Sequence, residues 1–225
     1  MNLLNYSSIL FDCDGVILDS NKIKSSSFYN TAARYCEISA KQLLEYHKIN
    51  GGISRYVKFK YFIENILPLS PNNSKIENVP SIENLTKEYA KELRDKLDTC
   101  SIAENLNMLR KETAKADWYV ITGGDENEVK EVFKRRNIDQ YFDMGIYGSP
   151  SSKFEIITKL IAEKKLQQPA VFLGDSIYDY KAAKHFGIDF IFISAWSEVN
   201  NWEKFVEDNS INHVKKLKDL IKETD

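Results

Sequence analysis

Apolar positions in the first half of this chain recur mostly at three- and four-residue spacing, whereas in the second half they gather into short unbroken runs. An exception opens the chain: Ile9-Leu10-Phe11 is a run that meets two aspartates spaced i, i+2, Asp12 and Asp14, and then Gly15. That pattern predicts a strand that delivers carboxylates to its end, with a glycine to let the backbone turn. Helical spacing follows. Ile23, Phe28, Ala32 and Tyr35 give an imperfect stripe over 22–36, preceded by N-cap chemistry in Asp19-Ser20-Asn21. A second helix is expected over 40–49, broken by Gly51-Gly52, and a third over 54–67, where Val57, Tyr61, Phe62 and Ile66 recur and Pro68 stops the pattern. Residues 68–80, rich in Pro, Asn and Ser, read as a loop, and Leu85, Tyr89 and Leu93 predict a long helix over 81–97. Nothing between residues 19 and 97 reads as a strand, so the segment has the character of a helical insertion.

From Ile102 onward short helices alternate with short strands. Strands are expected over 118–121, 144–147, 170–173 and 188–193, with helices over 126–136, 153–164 and 178–186 and two short helices in the tail from Val199. Such alternation is the signature of a parallel sheet covered on both faces. The expectation is an α/β fold, divided into a catalytic core (1–18 and 99–225) and an inserted α-helical unit (19–98).

Charge and composition narrow the function. With 31 Lys+Arg against 33 Asp+Glu the formal charge is −2, which gives no footprint for nucleic acid or an anionic membrane surface. Three cysteines, Cys13, Cys36 and Cys100, show no CxxC spacing, so neither a disulfide framework nor a zinc site is expected. The start, MNLLNYSSILF, has neither the basic beginning nor the apolar length of a signal peptide, and no run approaches membrane-spanning length. The expected location is the cytoplasm, and the oligomeric state is left open.

Candidate chemistry collects at the ends of predicted strands. A parallel sheet brings Asp12 and Asp14, Thr122, and Asp175 with Asp179 to one edge, and Lys153 near a helix start can reach the same crevice. Phosphoryl transfer needs a nucleophile, a proton donor, a divalent cation and fixed positive charge on the non-bridging oxygens. Asp12 can attack phosphorus, Asp14 can protonate the leaving alcohol, and Asp12 with Asp175 can hold magnesium in an oxygen-rich shell. Thr122, Gly123 and Lys153 can bind phosphate oxygens, and Lys153 also offsets repulsion among the carboxylates.

The motifs FDCDGVILDS, VITGG, SSKFEII and GDSIYDYKAA, in that order, resemble the four motifs of the haloacid dehalogenase superfamily, in the branch with a helical cap inserted after the first strand. The match runs over most of residues 9–193. The resemblance implies a Rossmann-like parallel-sheet core with a C1-type helical cap. It further implies that Asp12 forms an aspartyl phosphate and that Asp14 acts first as general acid and then as base. Asp12, the Asp14 backbone carbonyl and Asp175 would ligate magnesium, with Asp179 orienting Lys153 or a metal-bound water. A carboxylate at Asp14 argues for phosphoryl chemistry over dehalogenation.

Within the capped group the chain is similar both to phosphoglycolate-phosphatase-like hydrolases and to β-phosphoglucomutase-like enzymes. GGISR resembles a mutase cap segment whose arginine grips a distal phosphate, which makes Arg55 a candidate substrate contact; its ordinary alternative is a solvated first-turn residue. The mutases carry a histidine ten residues after the general acid, where this chain has Lys24, so transfer to water is favoured; Lys24, near the hinge, is itself a candidate contact for an anionic substrate, although solvated lysines are the default. His47, close to GGISR, is a further candidate contact, although a lone helix histidine is more often exposed. The resulting expectation is a magnesium-dependent phosphatase acting on a small organic phosphate such as a sugar phosphate. The alternatives are a phosphosugar mutase and a non-catalytic binding module.

Overall fold

The computed structural model describes residues 2–70 and 79–221 of the chain. Among these residues six parallel strands form one sheet: β1 (Ser8–Phe11), β2 (Asp117–Asp125), β3 (Ile146–Ser149), β4 (Ala170–Gly174), β5 (Asp189–Ile193) and β6 (Asn212–Val214), in the order β3-β2-β1-β4-β5-β6. The chain therefore builds outward from β1 in one direction, then returns to place β4 against the other side of β1. The strand order reverses at the β1/β4 junction, and crevices for ligands form beyond the carboxyl ends of strands at such a junction.

β1 is apolar at consecutive positions because it is covered on both faces. Ile9 and Phe11 point into one core, with Trp118, Val120 and Leu173, whereas Leu10 joins Tyr119, Ile121 and Phe172 in the other. Helices α5 (Leu106–Glu112), α6 (Glu126–Arg135), α7 (Lys153–Ala162), α8 (Ile177–His185) and α9 (Trp202–Asp208) connect the strands. Two of them begin on a capping box, Ser152 with Glu155 at α7 and Ser176 with Asp179 at α8.

Between β1 and α5 lie four helices, α1 (Asn21–Ala33), α2 (Glu37–Ile49), α3 (Arg55–Tyr61) and α4 (Ile82–Thr99). Helix α1 packs on both α2 and α4, and α3 packs on α4. Phe28 is the centre of this packing, with the rings of His47, Phe59 and Tyr89 at centroid distances of 4.4, 5.1 and 4.4 Å. The two crossings into and out of the helical segment are tied together: Asp19 N donates to Ser101 O, Ala103 N donates to Ile17 O, and Leu18 bridges Ile102 in antiparallel fashion.

The structure departs from the sequence expectations in three places. The third helix is α-helical only to Tyr61, then widens into a π turn over Phe62–Ile66 and tightens into a 3-10 turn at Leu67–Leu69, where Pro68 can donate no backbone hydrogen bond. β2 does not stop before Thr122 but continues to Asp125, with a register shift against β3 between Ile121 and Asp125. The tail holds one helix, α9, followed by the edge strand β6 and a 3-10 turn at Leu217–Leu220, not two helices. β6 is three residues long with exposed Asn212 and His213, so it carries no apolar run and is defined by its backbone pairing to β5. Of the expected loop over 68–80, residues 71–78 lie outside the described residues.

Leu93 of α4 is fully buried in the helical segment's core. Leu93→Ala should cost about 2–5 kcal/mol in denaturant unfolding, the lost transfer energy of the removed atoms plus the cavity left behind. A loss below about 1 kcal/mol would show that this core is loosely packed.

Candidate active site

Asp12 is the first residue past β1, fixed by its N–H donating to Leu173 O of β4 at 2.9 Å. Its Oδ1 accepts from Cys13 N at 2.8 Å and from Lys153 Nζ at 2.8 Å, which leaves Oδ2 facing the crevice with no described donor. Lys153, the first residue of α7, is fully buried and also donates to Asp179 Oδ1. Asp179 in turn accepts from Ser176 N and Oγ, the α8 capping box that fixes it. Burial pushes the Asp12 carboxyl up to about 7 against the pull of Lys153, and the neighbouring Asp179 and Asp14 carboxylates add to the rise.

Asp14 sits on a turn made by Gly15, whose φ of +77° favours glycine and where a Cβ would lie 2.1 Å from Asp175 Oδ2. Its Oδ1 accepts from Ser20 Oγ at 2.6 Å and its Oδ2 from Lys24 Nζ at 2.5 Å. Burial alone would raise this carboxyl. The Lys24 ammonium and the two hydrogen bonds overcome burial and hold it below its usual range. The two aspartates of one short motif are thus driven in opposite directions by different neighbours.

Asp175, just past β4, accepts from Asn21 Nδ2 at 2.6 Å, and Asn21 also donates to Trp196 O. Burial, then the Asp12 and Asp179 carboxylates, push Asp175 well above its ordinary value. Oxygens of Asp12, Asp175 and Asp179 lie within 4.8 Å of one another. Three buried carboxylates share one lysine, so the cluster lacks positive charge, and an all-oxygen donor set suits a hard divalent cation. The residues present fit such an ion.

Thr122 is fully buried and its Oγ1 accepts from Gly124 N at 3.0 Å. Beside it, Gly123 meets the helical segment directly: a Cβ there would lie 2.1 Å from Gly52 O. The segment covers the strand ends and encloses a cavity of about 60 Å³ whose lining includes Asp12, Asp14, Lys24, His47, Arg55 and Lys58.

The structure thus brings together Asp12, Asp14, Thr122, Gly123, Lys153, Asp175 and Asp179 at one sheet edge. The residues from the helical segment also reach the cavity, in unexpected states. Arg55 is neither solvated nor free: its guanidinium pairs with both Glu128 oxygens, at 3.0 and 2.5 Å, and stacks 4.7 Å above the Tyr89 ring. His47 is buried, not exposed, and its Nδ1 lies 2.8 Å from Lys58 Nζ. Burial and then the Lys58 charge hold His47 well below its usual range, so it stays a neutral imidazole. Sequence reasoning missed Lys58, Asn21 and Glu128. Lys58 stands one turn after Arg55, a spacing that puts both on one helix face and could have flagged it. Asn21 and Glu128 carry no signal of their own, since their partners come from distant parts of the chain.

Comparison with known proteins agrees with this geometry. The family model described as haloacid dehalogenase-like hydrolase matches residues 9–193, and the chain belongs to that family of hydrolases. A Caldanaerobacter subterraneus protein whose given name, PpaX, proposes a pyrophosphatase is 26% identical over 203 residues, covering 86% of this chain and 84% of the relative. Two solved structures share the fold. One, from Lactobacillus plantarum, is described as a proposed phosphoglycolate phosphatase (TM-score 0.66, 16% identity, 98% of each chain covered). The other, from Thermotoga maritima, is described as a proposed β-phosphoglucomutase (TM-score 0.63, 17% identity, 95% of this chain and 96% of that one). Among the described residues no helix is long and apolar enough to cross a membrane.

If the carboxylate cluster takes a divalent cation, magnesium at about 100 times its dissociation constant should stabilise the fold by about 2.7 kcal/mol, or roughly 5–10 °C in Tm for a chain of this size. Asp175→Asn should lose most of that gain. A melting curve indifferent to magnesium, or an undiminished gain in the variant, would contradict the assignment.

Proposed function

We propose that this hydrolase is a phosphatase: a magnesium-dependent phosphomonoesterase of the cytoplasm that acts on a small organic phosphate, such as a sugar phosphate, through a phosphorylated Asp12. The observation that carries the reading is the pairing of roles at the β1 end. Asp12 has one oxygen held by Lys153 and Cys13 N and the other open to the crevice, and Asp14 lies two residues on with its own cation.

In the first step Asp12 Oδ2 forms a bond to phosphorus as the ester P–O bond breaks, and the departing alkoxide takes a proton from Asp14. In the second, water attacks the phosphorus and gives its proton to the Asp14 carboxylate, and the bond to Asp12 breaks to free phosphate. Lys153, Thr122 and the Gly123 backbone serve the phosphoryl oxygens, and Asp179 positions Lys153. Magnesium held by Asp12, Asp175 and the Asp14 backbone carbonyl would neutralise charge on the transferring group. The ion pair with Lys24 keeps Asp14 ionised, as the second step requires. For the first step Asp14 needs a proton, which a substrate phosphate arriving as its monoanion can deliver to the Asp14 carboxylate before the ester bond breaks.

Residues 19–98 act as a cap that closes over substrate, with Arg55–Glu128 and the Tyr56 hydroxyl donating to Asp125 Oδ2 at 2.9 Å as contacts of the closed form. A mutase reading is weaker. Lys24 is committed to Asp14, and the Arg55 fork that would hold a second phosphate is engaged by Glu128.

Asp12→Asn should lower phosphate release from a panel of phosphate esters by about 10³-fold or more with an unchanged circular dichroism spectrum; near-normal release would sink the mechanism. Lys24→Met removes the main charge that depresses Asp14. Asp14 then needs a higher pH to ionise, so the acid limb of the kcat profile should move to higher pH. A limb that stays put would remove Asp14 as the base.

A further inference from the structure

Most charged groups on the cavity's lining already have a partner of opposite sign: Lys24 has Asp14, Arg55 has Glu128, and the outer Lys48 lies 3.9 Å from Glu45. Lys58 is different. It is 2% exposed, its Nζ bonds to the neutral His47 Nδ1, and among the described residues no carboxylate lies within 4 Å of it. The Phe28 ring, 5.3 Å from Nζ, is the other feature that steadies the charge. Asp14 and Glu198 act on it only at longer range, and Glu198 is itself bonded by Ser25 Oγ at 2.6 Å.

A buried ammonium without a counter-ion is costly, and proteins rarely leave one unpaired. Burial, and then repulsion from Lys24, pull Lys58 down to about 7. An anion arriving in the cavity would relieve both effects. The imidazole of His47 fixes where the ammonium stands, since as acceptor it takes one of the three N–H bonds and leaves two for a ligand.

We propose that Lys58, positioned by His47, receives a second negatively charged group on the leaving portion of the substrate, so that the enzyme selects short phosphate esters carrying a carboxylate or a further phosphate. The inference rests on the phosphatase reading and narrows its substrate class. Asp12, Asp14 and Lys58 line one cavity, so a substrate whose phosphoryl group meets Asp12 can place a second charge at Lys58.

Binding of non-hydrolysable probes tests the site without turnover. Calorimetry with magnesium present compares ethylphosphonate, which has no second charge, with phosphonoacetate and with methylenediphosphonate, which carry a carboxylate and a second phosphoryl group. The wild-type protein should bind at least one charged probe about 10- to 100-fold more tightly than ethylphosphonate, and which one shows the source of the charge. In Lys58→Met that ratio should fall to within threefold of unity, and Lys58→Arg should keep part of it. His47→Gln should weaken the ratio less than Lys58→Met. No preference in the wild type, or an equal loss on all probes in Lys58→Met, would overturn the proposal. Melting curves of each variant establish that it is folded. Phosphate release by the wild type from a panel of short phosphate esters, with and without a second charged group, reports separately on the phosphatase reading: no turnover of any ester with a clear probe preference would refute catalysis and leave the anion site standing.

Discussion

The contact on which the site depends is the buried ammonium of Lys153 between Asp12 and Asp179. It is fully buried, and it joins the end of β1 to the first turns of α7 and α8. Without it three carboxylates would face one another in a medium of low dielectric, at a cost of several kcal/mol. With it, Asp12 remains under tension: burial and like charge raise its carboxyl while one cation restrains it. The cluster is arranged to accept more positive charge, and the fold supplies it at the point where the strand order reverses.

The helical segment obeys the same electrostatic logic. Its residues that line the cavity include three buried cations, Lys24, Arg55 and Lys58, and its neutral His47 serves one of them. Two of the three cations are satisfied by carboxylates outside the helical segment, Asp14 and Glu128, so the contact between the segment and the rest of the chain is a charge-paired one. The third is what a ligand would complete. The proposed specificity and closure would therefore draw on one set of side chains.

Much of this is legible in the sequence, for identifiable reasons. The doubly covered strands appear as unbroken apolar runs, and the residues at their ends fall immediately after those runs, so the pattern alone places Asp12, Asp14 and Asp175 on one edge. Lys153 is legible from its position at a helix start. Hidden are features that depend on partners distant in sequence. Glu128 is an ordinary helix-surface glutamate until Arg55, 73 residues away, is laid on it. His47 looks like a solvated helix residue until Phe28 and Lys58 enclose it. β6 has no pattern because an edge strand of three residues is specified by its neighbour's free backbone groups and not by its own side chains.

The two crossings of the helical segment are bonded to each other at Leu18 and Ile102, so about eighty residues hang from a single narrow stalk. The stalk stands within a few residues of Asp14, Asn21 and Lys24, each of which lines the cavity at the strand ends. A shift of the helices about that stalk would be felt at Asn21 and Lys24, which hold Asp175 and Asp14 directly. The position of the helices and the surroundings of those two carboxylates would then change together.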